Sequence, residues 1–331
     1  MSLSHSILAE MFQENDNLYP AKPDFVQPEQ GSRYTRLFIS MFLFFLVFIL
    51  WIPENYILGI EIIGILLLHE LGHLSMMKLF GYKALNMFFI PFLGAMVTGS
   101  KTDVSQKQKI IISLMGPLPG IIIGSGLFLY AIYVQPGIYL VEISLLLIVI
   151  NVLNLIPLDP LDGGNCIEAL FFPSNDQFKM YFTLFSSIAI ISIGVLFEFY
   201  PILIFGFLMA FKVRAFQKSK VIHDDLDSID FNYKKKYADL SDREYWTMRR
   251  VFLENNPKIK EIIPDDEVIW ENENLIIEQL NQLLRVDIKR DLTVLQRSLF
   301  FVLLLSALLF PVYLIVKNYH IITWYLENSG I

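Results

Sequence analysis

His69, Glu70 and His73 stand within five consecutive residues of the stretch His69-Glu70-Leu71-Gly72-His73. On a helix, residues four apart share a face, so His69 and His73 can offer two imidazoles to one ion. Glu70 follows the first histidine directly, close enough to take a proton from a water held by that ion. Two histidines and a glutamate at this spacing suit zinc-assisted hydrolysis. With five histidines in 331 residues, chance is a weak competitor for the pattern. It also lies inside an apolar run, Tyr56 to Phe80. Ionisable groups at bilayer depth are costly unless paired or set around a cavity, so a functional role is their default reading. The competing reading is structural, with these side chains only bonding to neighbouring helices.

A catalytic zinc ion takes a further protein ligand beside two histidines and keeps a position open for water. The chain has one cysteine, Cys166, which excludes a Cys-rich metal cluster and an internal disulfide framework. An acidic residue is therefore the candidate, and Asp159 and Asp162 both lie at the end of a later apolar run, on the side of His73. Glu61 stands about two turns before His69 and Glu142 near the far end of its helix, which makes both poorer candidates.

The elements that must position these groups are membrane helices. Hydrophobic residues make up 54% of the chain and charged residues 18%, with a mean hydropathy of +0.51. Roughly twenty apolar residues span a bilayer as a helix. The sequence predicts an all-α polytopic membrane protein with six to seven spans. The runs are Leu37 to Ile52, Tyr56 to Phe80, Ile110 to Val134, Ile138 to Ile156, Tyr181 to Phe211 and Ser298 to Val316. The block from Tyr181 is too long for one span and is divided by Glu198 and Pro201, which predicts two helices, the second short. Met87 to Val97, with Pro91 and Gly94, is too short to cross as a helix and reads as an interfacial or re-entrant segment.

Four regions follow: a polar lead-in over 1–36, a membrane core over 37–211, a helical region or linker over 212–297, and a last span with its tail over 298–331. The lead-in carries no basic segment followed by an apolar one, so insertion through the first hydrophobic helix is expected. Within the polar region, Ile276, Leu280, Leu283 and Leu284 recur at helical spacing. Arg33, Arg36, Lys78, Lys83, Lys101, Lys107, Lys109, Lys179, Lys212, Arg214, Lys218 and Lys220 fall on one side of this helix count, and the short opposite loops contain no Lys or Arg. The positive-inside rule makes the charged side, and the N-terminus, cytoplasmic. The net charge of −7 argues against nucleic acid as a partner.

With the later stretch Asn154-x-x-Pro157-x-x-Pro160-Leu-Asp162-Gly-Gly in view, the chain resembles the site-2 protease family of intramembrane metalloproteases, over about residues 56–170. The resemblance implies Zn2+ held by His69, His73 and Asp162, with Glu70 as general acid/base and Asn154 positioning the substrate backbone. It implies that Gly163 and Gly164 permit close chain approach and that Met87 to Val97 forms a hairpin beside the site. It also implies a transmembrane protein or membrane-retained peptide as substrate; a bacterial cytoplasmic membrane is the expected setting. Relatives often carry Asn where this chain has Gly120, and Asp159 is an additional carboxylate. A non-hydrolytic metal-binding transporter or sensor, or a silent relative that binds membrane proteins, is the alternative. Elsewhere the readings are bland: His5, His223 and His320 as surface residues, Cys166 as a packing residue, and Gly124 and Gly126 as points of helix approach.

Overall fold

The computed structural model describes residues 19–25, 32–91, 94–101, 103–135, 137–173, 175–198, 200–263, 269–285 and 288–328. His5 and most of the polar lead-in lie outside them. The protein is an all-α polytopic membrane protein with one β-hairpin. Among the described residues, six helical segments are long and apolar enough to cross a membrane, one of them the run Gln106–Tyr133 taken across its break at Gly116, and Ile138–Asn154 is a shorter apolar helix.

The chain divides into two compact units. The larger takes residues 30–210 and 288–331, and the smaller takes 1–29 and 211–287. The larger unit begins with α1 (Arg33–Trp51) and α2 (Tyr56–Leu79), which starts where the Asn55 side chain accepts from the Leu58 N–H at 3.1 Å. The predicted re-entrant segment is a hairpin, β1 (Lys83–Ile90) paired antiparallel with β2 (Gly94–Ser100). Met87 and Phe89 point from β1 into a small core with Phe44 of α1 and Leu66 of α2. The Phe89 N–H donates to Ser40 Oγ at 3.0 Å, which ties the hairpin to α1.

The run from Ile110 is broken at Gly116, where α3 (Gln106–Met115) ends and α4 (Pro117–Tyr133) begins with Pro at its first position. Next come α5 (Ile138–Asn154), α6 (Asp162–Phe171), α7 (Asp176–Leu196), α8 (Tyr200–Ser228), and, after the smaller unit, α12 (Val294–Lys317) and α13 (Tyr319–Asn328). Gly124 sets the approach of α4 to α5, since a Cβ there would lie 2.9 Å from that of Leu147. Gly126 meets nothing within 4 Å and has no such role. Exposed rows such as Phe38 and Leu50 on α1 or Val302 and Phe310 on α12 suit hydrocarbon as the solvent.

The expectation of a short second helix after Glu198 is wrong, because α8 runs for 29 residues. Pro201 is tolerated in a first turn, and the Lys, Arg and Gln residues beyond Phe211 are good helix formers, so nothing stops the helix where its apolar character ends.

In the smaller unit, α9 (Asp242–Glu254), the single turn α10 (Pro257–Lys260) and α11 (Glu273–Leu283) join the end of α8 around a core containing Leu226, Tyr245, Phe252, Ile277 and Leu280. A capping box between Ser241 and Glu244 starts α9. His223, expected on the surface, is buried: Leu283 O lies 2.9 Å from its Nε2 and an Arg285 guanidinium nitrogen 3.2 Å from its Nδ1. Its neighbours come from a part of the chain sixty residues away, which the local polarity around His223 did not reveal.

Candidate metal centre

The site starts on α2, where the helical repeat stacks His69 and His73 with ring centroids 4.8 Å apart. Gly72 faces the end of α3. A Cβ at Gly72 would lie 1.9 Å from the Met115 carbonyl oxygen, so only glycine lets the two backbones meet there. Gly116 clears the next space, because a Cβ on it would lie 2.2 Å from His73 Nε2. The Ile112 carbonyl is one of those left without an intrahelical partner at the end of α3, and it lies 2.8 Å from His73 Nδ1.

Asp162 reaches the same point from the first turn of α6. Gly163 and Gly164 let that turn fold tightly over the end of α5, since their Cβ atoms would lie 2.0 Å from Leu155 O and 2.3 Å from Leu158 O. Asp162 Oδ2 is 3.0 Å from His69 Nε2 and 3.2 Å from His73 Nε2, and the two Nε2 atoms are 3.0 Å apart. Ligands about 2.0–2.1 Å from one tetrahedral zinc ion lie roughly 3.3 Å from each other, so the triangle is close to that size.

Protonation makes the case for a cation. A carbonyl only accepts, so His73 Nδ1 carries the hydrogen donated to Ile112 O. Asn151 donates through Nδ2 to Leu147 O at 2.8 Å, which leaves its Oδ1 to accept from His69 Nδ1, also at 2.8 Å. Each imidazole then turns its remaining nitrogen, Nε2, towards Asp162 Oδ2. Two Nε2 atoms and a carboxylate oxygen converging on one point, with both Nδ1 atoms fixed as donors, are a donor set that fits a metal ion.

Glu70 is buried beside them, and the ligating atoms of His69, Glu70 and His73 all lie within 4.8 Å of one another. The backbone of Val97 in β2 is within hydrogen-bonding reach of the Glu70 carboxyl, which places the hairpin next to the cluster. Asn154, by contrast, turns back on its own helix, where its Nδ2 donates to Ile150 O at 3.1 Å. Asp159 neither joins the cluster nor faces solvent: it is buried and accepts from Thr183 Oγ1 at 2.6 Å, while its N–H donates to Ser186 Oγ at 2.9 Å. It anchors the loop before Asp162 to α7. The Glu61 carboxylate lies near the Tyr139 hydroxyl.

Sequence reasoning missed Asn151. An asparagine in the middle of an apolar helix was the available signal. The partner that explains it, His69, is 82 residues away. Gly120 completes the account, for a Cβ there would lie 2.1 Å from Asn151 Nδ2. The side chain missing from α4 leaves the room that Asn151 fills from α5.

Residues 57–145, from α2 into α5, match the family model for peptidase family M50. A zinc metalloprotease of Methanocaldococcus jannaschii is 31% identical over 107 residues. Over this stretch the chain is similar to peptidase family M50. The aligned part of that relative is 31% of its length and 31% of this chain, so the chain spans about a third of the curated relative it matches. A solved site-2 protease from the same organism is 25% identical, with a TM-score of 0.42, covering 54% of this chain and 88% of that one. The M50 match contains His69, Glu70 and His73 and ends before Asp162.

Proposed function

We propose that this chain is a site-2 protease of the M50 type, a zinc-dependent intramembrane endopeptidase that cuts a peptide bond in or near a transmembrane segment of a membrane-anchored protein. The convergence of His69 Nε2, His73 Nε2 and Asp162 Oδ2, with both Nδ1 atoms already committed as donors, is the observation that carries this reading. His69, His73 and Asp162 would hold the zinc ion, which would supply Lewis acidity towards the scissile carbonyl and the attacking water. Glu70 takes the proton of that water and passes it to the leaving amine. Asn154, at the end of α5, holds substrate backbone.

A peptide bond inside a membrane helix is shielded by its own hydrogen bonds, so the substrate must first be extended. β2 pairs only with β1 among the described residues. Its other edge, near Glu70, suits an added substrate strand. The protein works as a multi-pass component of a bacterial cytoplasmic membrane with its N-terminus and its smaller helical unit in the cytoplasm.

The test is metal removal in reconstituted vesicles. Wild-type protein is expected to carry zinc and to cleave members of a panel of helical transmembrane peptides. Chelation should abolish cleavage, and added zinc should restore it. A protein that carries no zinc, or cleaves equally well after chelation, would sink the proposal.

Asn151 acts in this reading as a positioning residue, because it fixes the tautomer that turns the His69 Nε2 lone pair inward. Losing such an outer partner costs about 10- to 100-fold in metal affinity in comparable sites. Asn151→Leu is therefore expected to weaken zinc binding by that factor in a competition titration, while Asn151→Asp, which keeps an acceptor, retains most of it. Equal affinity in all three proteins would remove Asn151 from the site.

A further inference from the structure

Residues 19–25 of the smaller unit, Tyr19-Pro-Ala-Lys-Pro-Asp-Phe25, form neither helix nor strand, yet they are held at almost every step. The Trp246 indole N–H donates to Pro20 O at 2.7 Å. The Lys22 N–H donates to Asp242 Oδ1 at 2.8 Å, and the Tyr237 hydroxyl to Pro23 O at 2.6 Å. The Lys22 ammonium spends its three hydrogens on the carbonyls of Tyr237, Ala238 and Leu240, 5.3 Å from the centroid of the Tyr237 ring. Tyr19 and Phe25 pack against the unit's hydrophobic core.

The segment's own chemistry explains why it docks in this way. Pro20 and Pro23 fix their φ near about −65°, and Tyr19 and Lys22, each preceding a proline, are driven to extended backbone. These constraints favour a polyproline II course, whose side chains repeat about every third residue. Tyr19, Lys22 and Phe25, three apart, are half-buried together with Pro23, while Pro20, Ala21 and Asp24 are exposed. A preformed extended backbone loses little entropy on docking, and grooves that bind such segments are lined by aromatic rings with donors aimed at their carbonyls. Tyr237 and Trp246 have those properties.

We propose that the smaller helical unit is a recognition module for polyproline II peptides of the pattern aromatic-Pro-x-Lys-Pro-x-aromatic, and that residues 19–25 are its intramolecular ligand. The lysine is the specificity element. Three carbonyls aimed at one point match a compact ammonium with three donors, whereas the planar fork of an arginine does not fit them and a neutral side chain leaves them unpaired. A partner protein presenting the same pattern would compete with the chain's own segment. This site is independent of the metal centre and of the proposed proteolysis.

The experiment uses the full-length protein in micelles and a fluorescent synthetic peptide with the sequence of residues 19–25. In the wild type the docked segment competes at an effective concentration on the order of millimolar. Lys22→Glu should release that segment, seen as faster exchange of the residue 22 amide, and let the peptide bind at least about tenfold more tightly than to wild type. A peptide carrying glutamate in place of the lysine should not bind either protein. As a second arm, Trp246→Phe combined with Lys22→Glu keeps a ring but loses the indole donor, and should weaken peptide binding about fivefold. An unchanged exchange rate at residue 22 in the Lys22→Glu protein would overturn the proposal. So would a Lys22→Glu protein with α9 and α11 still protected that ignores the peptide or binds the glutamate peptide equally well.

Discussion

Glu70→Gln is expected to lower the turnover number for a transmembrane peptide substrate by about 10²- to 10⁴-fold, the usual contribution of a positioned general base. Glutamine has the volume and shape of glutamate, so the packing around this buried position on α2 is preserved. What it loses is the ability to accept a proton from the attacking water. The atoms that converge at the proposed metal site belong to His69, His73 and Asp162, and none of them is changed. Zinc content measured by elemental analysis should therefore match the wild type, and KM should change little. Cleavage falling while zinc stays bound assigns the base. Full activity in the variant would remove Glu70 from the mechanism, and loss of zinc would make it a ligand instead.

The second large effect is expected in the smaller unit. Arg249 is fully buried on α9, and its Nε and Nη2 donate to the two carboxylate oxygens of Glu273 at 2.7 and 3.2 Å. The Tyr245 hydroxyl and the Trp270 N–H donate to the same carboxylate. Burial, together with the Glu273 charge, pushes the Tyr245 phenol well above its ordinary pKa, so it remains a donor at any physiological pH. Removing one partner of a buried pair leaves an uncompensated charge and costs about 3–5 kcal/mol. Arg249→Ala should destabilise the unit by that amount, measured by urea unfolding and by hydrogen exchange in α9. The double variant Arg249→Met with Glu273→Leu should recover much of the loss, because the desolvation penalty disappears with both charges. Equal stability of Arg249→Ala and wild type would show that water reaches the pair and that it contributes nothing to the unit.

Much of this architecture is local, and local patterns are what a sequence carries. Run length and composition determined the spans, since the bilayer sets how many apolar residues a helix needs. The helical period alone placed His69 and His73 on one face, because residues four apart stack whatever surrounds them. The pairing of that motif with Asn154 to Gly164 carried the resemblance to the site-2 proteases. Tertiary structure decided which groups complete each site. Asn151 finds His69 across two helices, and Gly116 matters only because His73 turns into the space it leaves. Asp159 and Asp162 are equivalent by spacing, yet one is drawn to Thr183 on α7 and the other to the histidines. His223 looks like a surface residue until Leu283 and Arg285 close over it, and Lys22 looks like part of a tail until three carbonyls surround its ammonium. These partners lie tens to hundreds of residues apart, and only the packing of the elements brings them within the few ångströms over which a hydrogen bond acts.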